Sequence, residues 1–103
     1  MFIEIDRNAT ATVKDPENFR AFKIVAPDGP DRVETVRRAL QGLAEVDGEG
    51  HAWVSPTALA RNPAVAGLAG WQSGFDAMVE KARPHGWVHP DTGAVRAHIE
   101  WVE

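Results

Sequence analysis

Cysteine is absent from the 103 residues of this chain, and so is tyrosine. Without thiols there is no disulfide, no thiolate nucleophile, no iron–sulfur cluster and no Cys-ligated zinc. No stretch approaches the roughly 20 consecutive apolar residues of a membrane-spanning helix, so no membrane partner is expected. The opening segment, MFIEIDRNAT, carries Glu4 and Asp6 where a secretion signal needs a basic start and a long apolar run. A cytoplasmic location is the expectation, and the Asn8-Ala9-Thr10 sequon then has no role. Basic clusters are scarce too. Arg37-Arg38 is the one basic doublet, in a chain with 11 Lys+Arg against 15 Asp+Glu. Surfaces that hold nucleic acid gather cations, because affinity comes from releasing condensed counterions, so nucleic acid is not an expected partner.

What is present has the make-up of an ordinary globular domain, 44% hydrophobic and 25% charged. A chain of this length buries enough surface to be stable without metal or disulfide staples. Residues 1–103 therefore read as a single α+β domain.

Two N-terminal strands, three helices and a C-terminal β-hairpin are predicted. Phe2–Arg7 alternates Ile3 and Ile5 against Glu4 and Asp6, the period of a half-buried strand. Residues 8–18 read as a polar connection and Phe19–Ala26 as a second strand, ended by Pro27-Asp28-Gly29-Pro30. The first helix opens with Asp31 and Glu34 at capping-box spacing, has Glu34 four residues before Arg38, and places Val33, Val36, Leu40 and Leu43 on one stripe. After a turn at Asp47–Gly50 and a short strand at His51–Val54, Ser55-Pro56 starts a second helix as N-cap and first residue, closed by Asn62-Pro63. The third helix carries Trp71, Phe75, Met78, Val79 and Ala82 on one stripe and stops at Pro84. In the hairpin, Trp87–Pro90 and Ala94–Val102 turn through Asp91-Thr92-Gly93. A three-residue loop puts Trp87, His89, Val95, Ala97, Ile99 and Trp101 on the core face and Val88, Arg96, His98 and Glu100 on the other.

From residue 31 the order of elements resembles the winged-helix topology, in which a third helix reads DNA and a hairpin forms the wing. The resemblance is one of order and rests on no diagnostic motif. A small α+β sandwich uses the same elements.

The candidate site residues are aromatic. Trp71, Phe75, Met78, Trp87 and Trp101 form either core or the wall of a pocket between the third helix and the hairpin, suited to a small apolar or aromatic ligand. His89, expected on the apolar face, is the candidate catalytic acid/base, since imidazole titrates near neutral pH. His85 and His89 have the four-residue spacing of a helical zinc pair, but Pro84 and Gly86 break any helix there, so no metal site is expected. No cofactor-binding motif is present: no glycine-rich loop links a strand to a helix with phosphate-binding spacing. Neither Ser55 nor Ser73 sits in a glycine-flanked nucleophile elbow.

The leading functional expectation is a small accessory or interaction module that self-associates as a dimer. A small cofactor-free enzyme of isomerase or lyase type, using His89, is the alternative, and a winged-helix DNA-binding protein is the further one. The apolar segment Pro63–Gly70 and the sheet edges of so short a chain motivate self-association. Light scattering at micromolar concentration is expected to give a particle heavier than the 11.2 kDa chain, and a monomer mass removes this expectation.

Overall fold

Short alternating segments build most of the molecule. The computed structural model describes residues 1–102; Glu103, counted in the expected domain, lies outside the described residues. Six strands form one sheet: β1 Phe2–Ile5, β2 Ala11–Lys14, β3 Lys23–Pro27, β4 Ala44–Asp47, β5 His51–Val54 and β6 Val95–Val102. Their order is β2-β1-β3-β6-β5-β4. β1 and β3 run parallel, as do β3 and β6; the other neighbours are antiparallel. Four helices join them, α1 Val33–Ala39, α2 Pro56–Ala60, α3 Pro63–Ala66 and α4 Trp71–Ala82.

The pattern of burial follows the pleat. Ile3, Ile24, Ile99, Ala97, Ala52 and Val54 face one way and are buried with Val36, Leu40, Leu59, Val65, Trp71 and Phe75 of the helices. Glu4, Thr12, Lys14, Glu45, Asp47, Arg96 and His98 face the other way and are exposed. Helices thus cover one face and leave an outer face open. The Cα radius of gyration is 12.9 Å, which matches the about 13 Å of a compact chain this long.

Several elements differ from the sequence reading. The polar 8–18 connection contains β2, because the Asp6 carboxylate accepts hydrogen bonds from the backbone N–H of Asn8 and Thr10 (2.9 and 3.0 Å) and folds the chain back on β1. β4 likewise returns on β5 through the Asp47–Gly50 turn. The second strand starts at Lys23, leaving Phe19–Phe22 as a loop. The Met1 ammonium donates to the carbonyls of Asn18 and Ala21, and the Trp71 indole donates to Pro16 O at 2.8 Å, which ties this loop to the core. Asp31 makes no capping bond; α1 begins only at Val33, and Glu34 pairs with Arg37. Asn62, expected only to close α2, accepts from Ala64 N and starts α3. Ser55 caps α2 as its residue type demands, its hydroxyl accepting from Ala58 N.

The C-terminal hairpin is reduced to one bridge, Val88 to Val95, flanked by bonds from His89 N to Ala94 O and from Arg96 N to Trp87 O. Pairing 88 with 95 takes Pro90 into the loop. A slip of one residue exchanges the faces of a strand. Trp87 and His89 therefore stand on the outer face with Arg96, and Val88 turns inward. The winged-helix-like order is not kept either: β4 intervenes after α1, a fourth helix is present, and β6 lies mid-sheet between β3 and β5 instead of forming a wing.

One glycine shapes the packing of the Phe19 loop against α4. A Cβ on Gly74, in α4, would fall 2.3 Å from Cε2 of Phe19, so the Phe19 ring lies where any side chain at 74 would be. Gly74→Ala is expected to destabilise the parent by about 1–2 kcal/mol through forced displacement of that ring. In a Phe19→Ala background the same change should stabilise by about 1 kcal/mol, the helix propensity difference. Denaturant melts of the parent and the three variants check this, and equal effects in both backgrounds would refute the packing role.

Candidate functional site

The far edge of β6 has two neighbours. The arm Trp87–His89 covers its first residues and β3 takes over from His98. Where these neighbours part, a cleft of about 600 Å³ opens. Phe19, Arg20, Ala21 and Phe22 form one wall, Met78, Lys81 and Ala82 of α4 another, and His85, Trp87, Val95 and Arg96 complete it. Its volume lies within the roughly 300–1,000 Å³ of small-molecule sites.

Below this cleft the aromatic rings are packed as core. Trp71 stacks on Phe75 with centroids 4.9 Å apart, and Phe75 meets Phe22 edge-on at 6.4 Å. Phe22 and Phe19, half-buried, carry that packing out to the surface. Trp87 is 44% exposed and its indole stacks on the His85 ring at 4.4 Å. The cleft thus has an aromatic wall backed by a buried aromatic floor.

Its electrostatics are one-sided. Arg20, Lys81 and Arg96 line it with His85, and among the described residues no Asp or Glu does. Among the described residues the ion pairs engage Arg7, Lys23, Arg37 and Arg83, and none of the three cleft cations.

A smaller recess of about 270 Å³ adjoins it on the outer face, lined by Phe22, His51, Trp87, Arg96 and His98. The register sets Arg96 opposite Trp53 of β5 and beside Trp87 of the arm, while His98 faces His51. The Arg96 guanidinium donates to His51 Nδ1 at 3.5 Å. Guanidinium has no acceptor, so this contact makes Nδ1 the acceptor and leaves the proton on Nε2. His51 Nε2 donates to Asp47 Oδ2 at 3.0 Å, and the Trp53 indole donates to the same oxygen at 3.4 Å. These two donors, the indole first and the imidazole second, hold the Asp47 carboxyl below its usual range.

The sequence-derived candidates are distributed among different places. Met78 and Trp87 line the main cleft, Trp71 and Phe75 are buried beneath it, and Trp101 lies half-buried elsewhere, its indole donating to Glu49 O at 2.8 Å. His89 is not with them. It meets Trp53 edge-on at 5.2 Å and lines a separate cleft of about 460 Å³ with Glu45, Ser55 and Thr92. Its Nδ1 accepts from Asp91 N at 3.2 Å. The Ser55 hydroxyl accepts from Ala58 N at the helix cap, and among the described residues no hydrogen bond joins it to His89. Among the described residues no group of three His, Asp or Glu side chains has metal-binding geometry. Sequence reasoning missed Phe19, Arg20, Phe22, Lys81 and Arg96 as cleft residues; the alternation along β6 signals Arg96 as outward-facing but not what lies beside it. Comparison with protein-family models, with curated proteins and with solved structures finds no match for the chain.

The Asp47 pair of bonds has a pH signature. A carboxyl whose folded pKa is depressed adds stability above its ordinary value, 3.8 here, and loses it as pH falls through the folded value. Asp47→Asn is expected to melt below the parent at neutral pH, with the gap closing as pH drops below 3.8. Thermal melts across the acid range check this, and a gap independent of pH contradicts it.

Proposed function

We propose that this domain is an accessory binding module whose cleft takes a small anionic ligand with an apolar or aromatic body. The supporting observation is the lining: three cations and an imidazole around aromatic rings, with no carboxylate among the described residues, in a chain of net charge −4. In so acidic a protein a carboxylate-free cluster makes the cleft a local positive focus, which draws anions and rejects cations. Phe19, Phe22, Met78 and Trp87 remove the ligand's body from water at about 25 cal/mol per Å² of apolar area. Arg96 offers the planar fork that matches a carboxylate or phosphate with two parallel bonds.

A cofactor-free isomerase or lyase using His89 is the second reading. It is favoured by the position of His89 in its own cleft beside Trp53 and Glu45, and such an activity would work there, apart from the cationic cleft. Self-association is a separate proposal. It would rest on exposed Trp87 and on Ala64, Ala66 and Ala69 of the 63–70 segment, since the edge strands β2 and β4 are short and charged, which discourages edge pairing.

Calorimetric titration with a matched series tests the leading reading: 4-phenylbutyrate, 4-phenylbutanol and 4-phenylbutylammonium share one body and differ in charge. The butyrate is expected to bind about tenfold or more tighter than the ammonium, with the alcohol between them. Trp87→Ala should weaken all three. Equal affinities across the series, or no binding by any member, would overturn the proposal.

A further inference from the structure

Two recesses meet at Phe22, Trp87 and Arg96: the larger has the aromatic wall, and the smaller adds His51 and His98 on the outer face. We infer that the smaller recess is a phosphoryl subsite and that the ligand class is a phosphate monoester of an apolar or aromatic alcohol. This rests on the reading of the larger cleft as the seat of the ligand's body.

The geometry separates the parts. Arg96 lies at the junction, reached from both recesses, so a group bound to it can have its body in one and its head in the other. The guanidinium is held from behind. Asp47 accepts a hydrogen bond from the Nε2–H of His51, which leaves His51 Nδ1 to accept from Arg96. His51 has both nitrogens occupied in this chain and acts as a positioning residue for the guanidinium. That single contact at 3.5 Å leaves Arg96 further N–H donors for a ligand. His98, exposed and opposite His51, presents an imidazole on the same side. Neither Arg96 nor His98 has a carboxylate within ion-pair distance among the described residues; Glu100, the acid nearest in sequence, is engaged by Lys23 at 2.6 Å.

The number of donors argues for phosphate over carboxylate. A carboxylate satisfies itself with the guanidinium fork alone. A phosphoryl group has three terminal oxygens and a second charge near neutral pH, so it can use Arg96 and His98 together. A volume of about 270 Å³ accommodates such a group with some of its water.

Calorimetric titration of the full chain with 4-phenylbutyl phosphate beside 4-phenylbutyrate provides the test. The phosphate ester is expected to bind about tenfold tighter than the carboxylate. His98→Ala should remove most of that advantage while leaving the affinity for 4-phenylbutyrate unchanged, which also reports that the variant is folded. Arg96→Lys, which keeps the charge and loses the fork, should weaken both ligands and shrink the difference between them. If the two ligands bind the parent equally, or the preference persists in His98→Ala, the phosphoryl subsite is wrong while the cleft reading stands. If neither ligand binds the parent, the cleft reading fails and the subsite with it.

Discussion

Along one edge β6 pairs with β5, and along the other it is shared between the Trp87–His89 arm and β3. The shared edge places the cleft. β3 has to start late enough to leave room for the arm, so the four residues before it, Phe19–Phe22, cross the gap as a loop with its aromatic rings turned towards α4. The same ladder sets Arg96 beside two tryptophans and His98 opposite His51. Without the arm's single bridge Trp87 would lose its register, and the cationic and aromatic parts would no longer meet.

A second dependence runs through α4. The helix gives up a Cβ at Gly74, at some cost in helix propensity, and Phe19 occupies the space. The loop is held at its other points by the Trp71 indole and the Met1 ammonium. A wall made of loop residues is thereby tied to the core at several places, the condition for a site whose shape exists before the ligand arrives. Charge follows a similar logic of segregation. Lys23 and Glu100 neutralise each other at the side of the recess, and Asp47 is occupied by indole and imidazole, so the acids closest to the site are already committed.

What was legible in the sequence was what is locally determined. The Ser55 cap, the stripe of α4 and its stop at Pro84 depend on neighbours within a turn or two, and they occur as the residue types require. β2 and β4 escaped notice because ATVK and AEVD are too short to show a period, and each becomes a strand only through the strand it pairs with. The hairpin failed by one residue. Loop length decides register, Pro90 joined the loop, and Trp87 and His89 changed faces. The misread register had placed His89 with the ring cluster around Met78 and made Arg96 and His98 look like an ordinary solvated face. Their neighbours Phe22, in the loop before β3, and His51, in β5, are far away in sequence and are brought close by pairings that no local pattern encodes.

The position of β6 also governs how the chain comes together during synthesis. It is the last strand to emerge among the described residues, yet it lies in the middle of the sheet. Until it arrives, β2-β1-β3 and β5-β4 are separate half-sheets, and β3 and β5 each present an unpaired edge. A nascent chain therefore carries two sticky edges until β6 is released, and closure then joins segments that are remote in sequence, a slow kind of contact to form. The cleft, which lies at this seam, is completed as β6 docks.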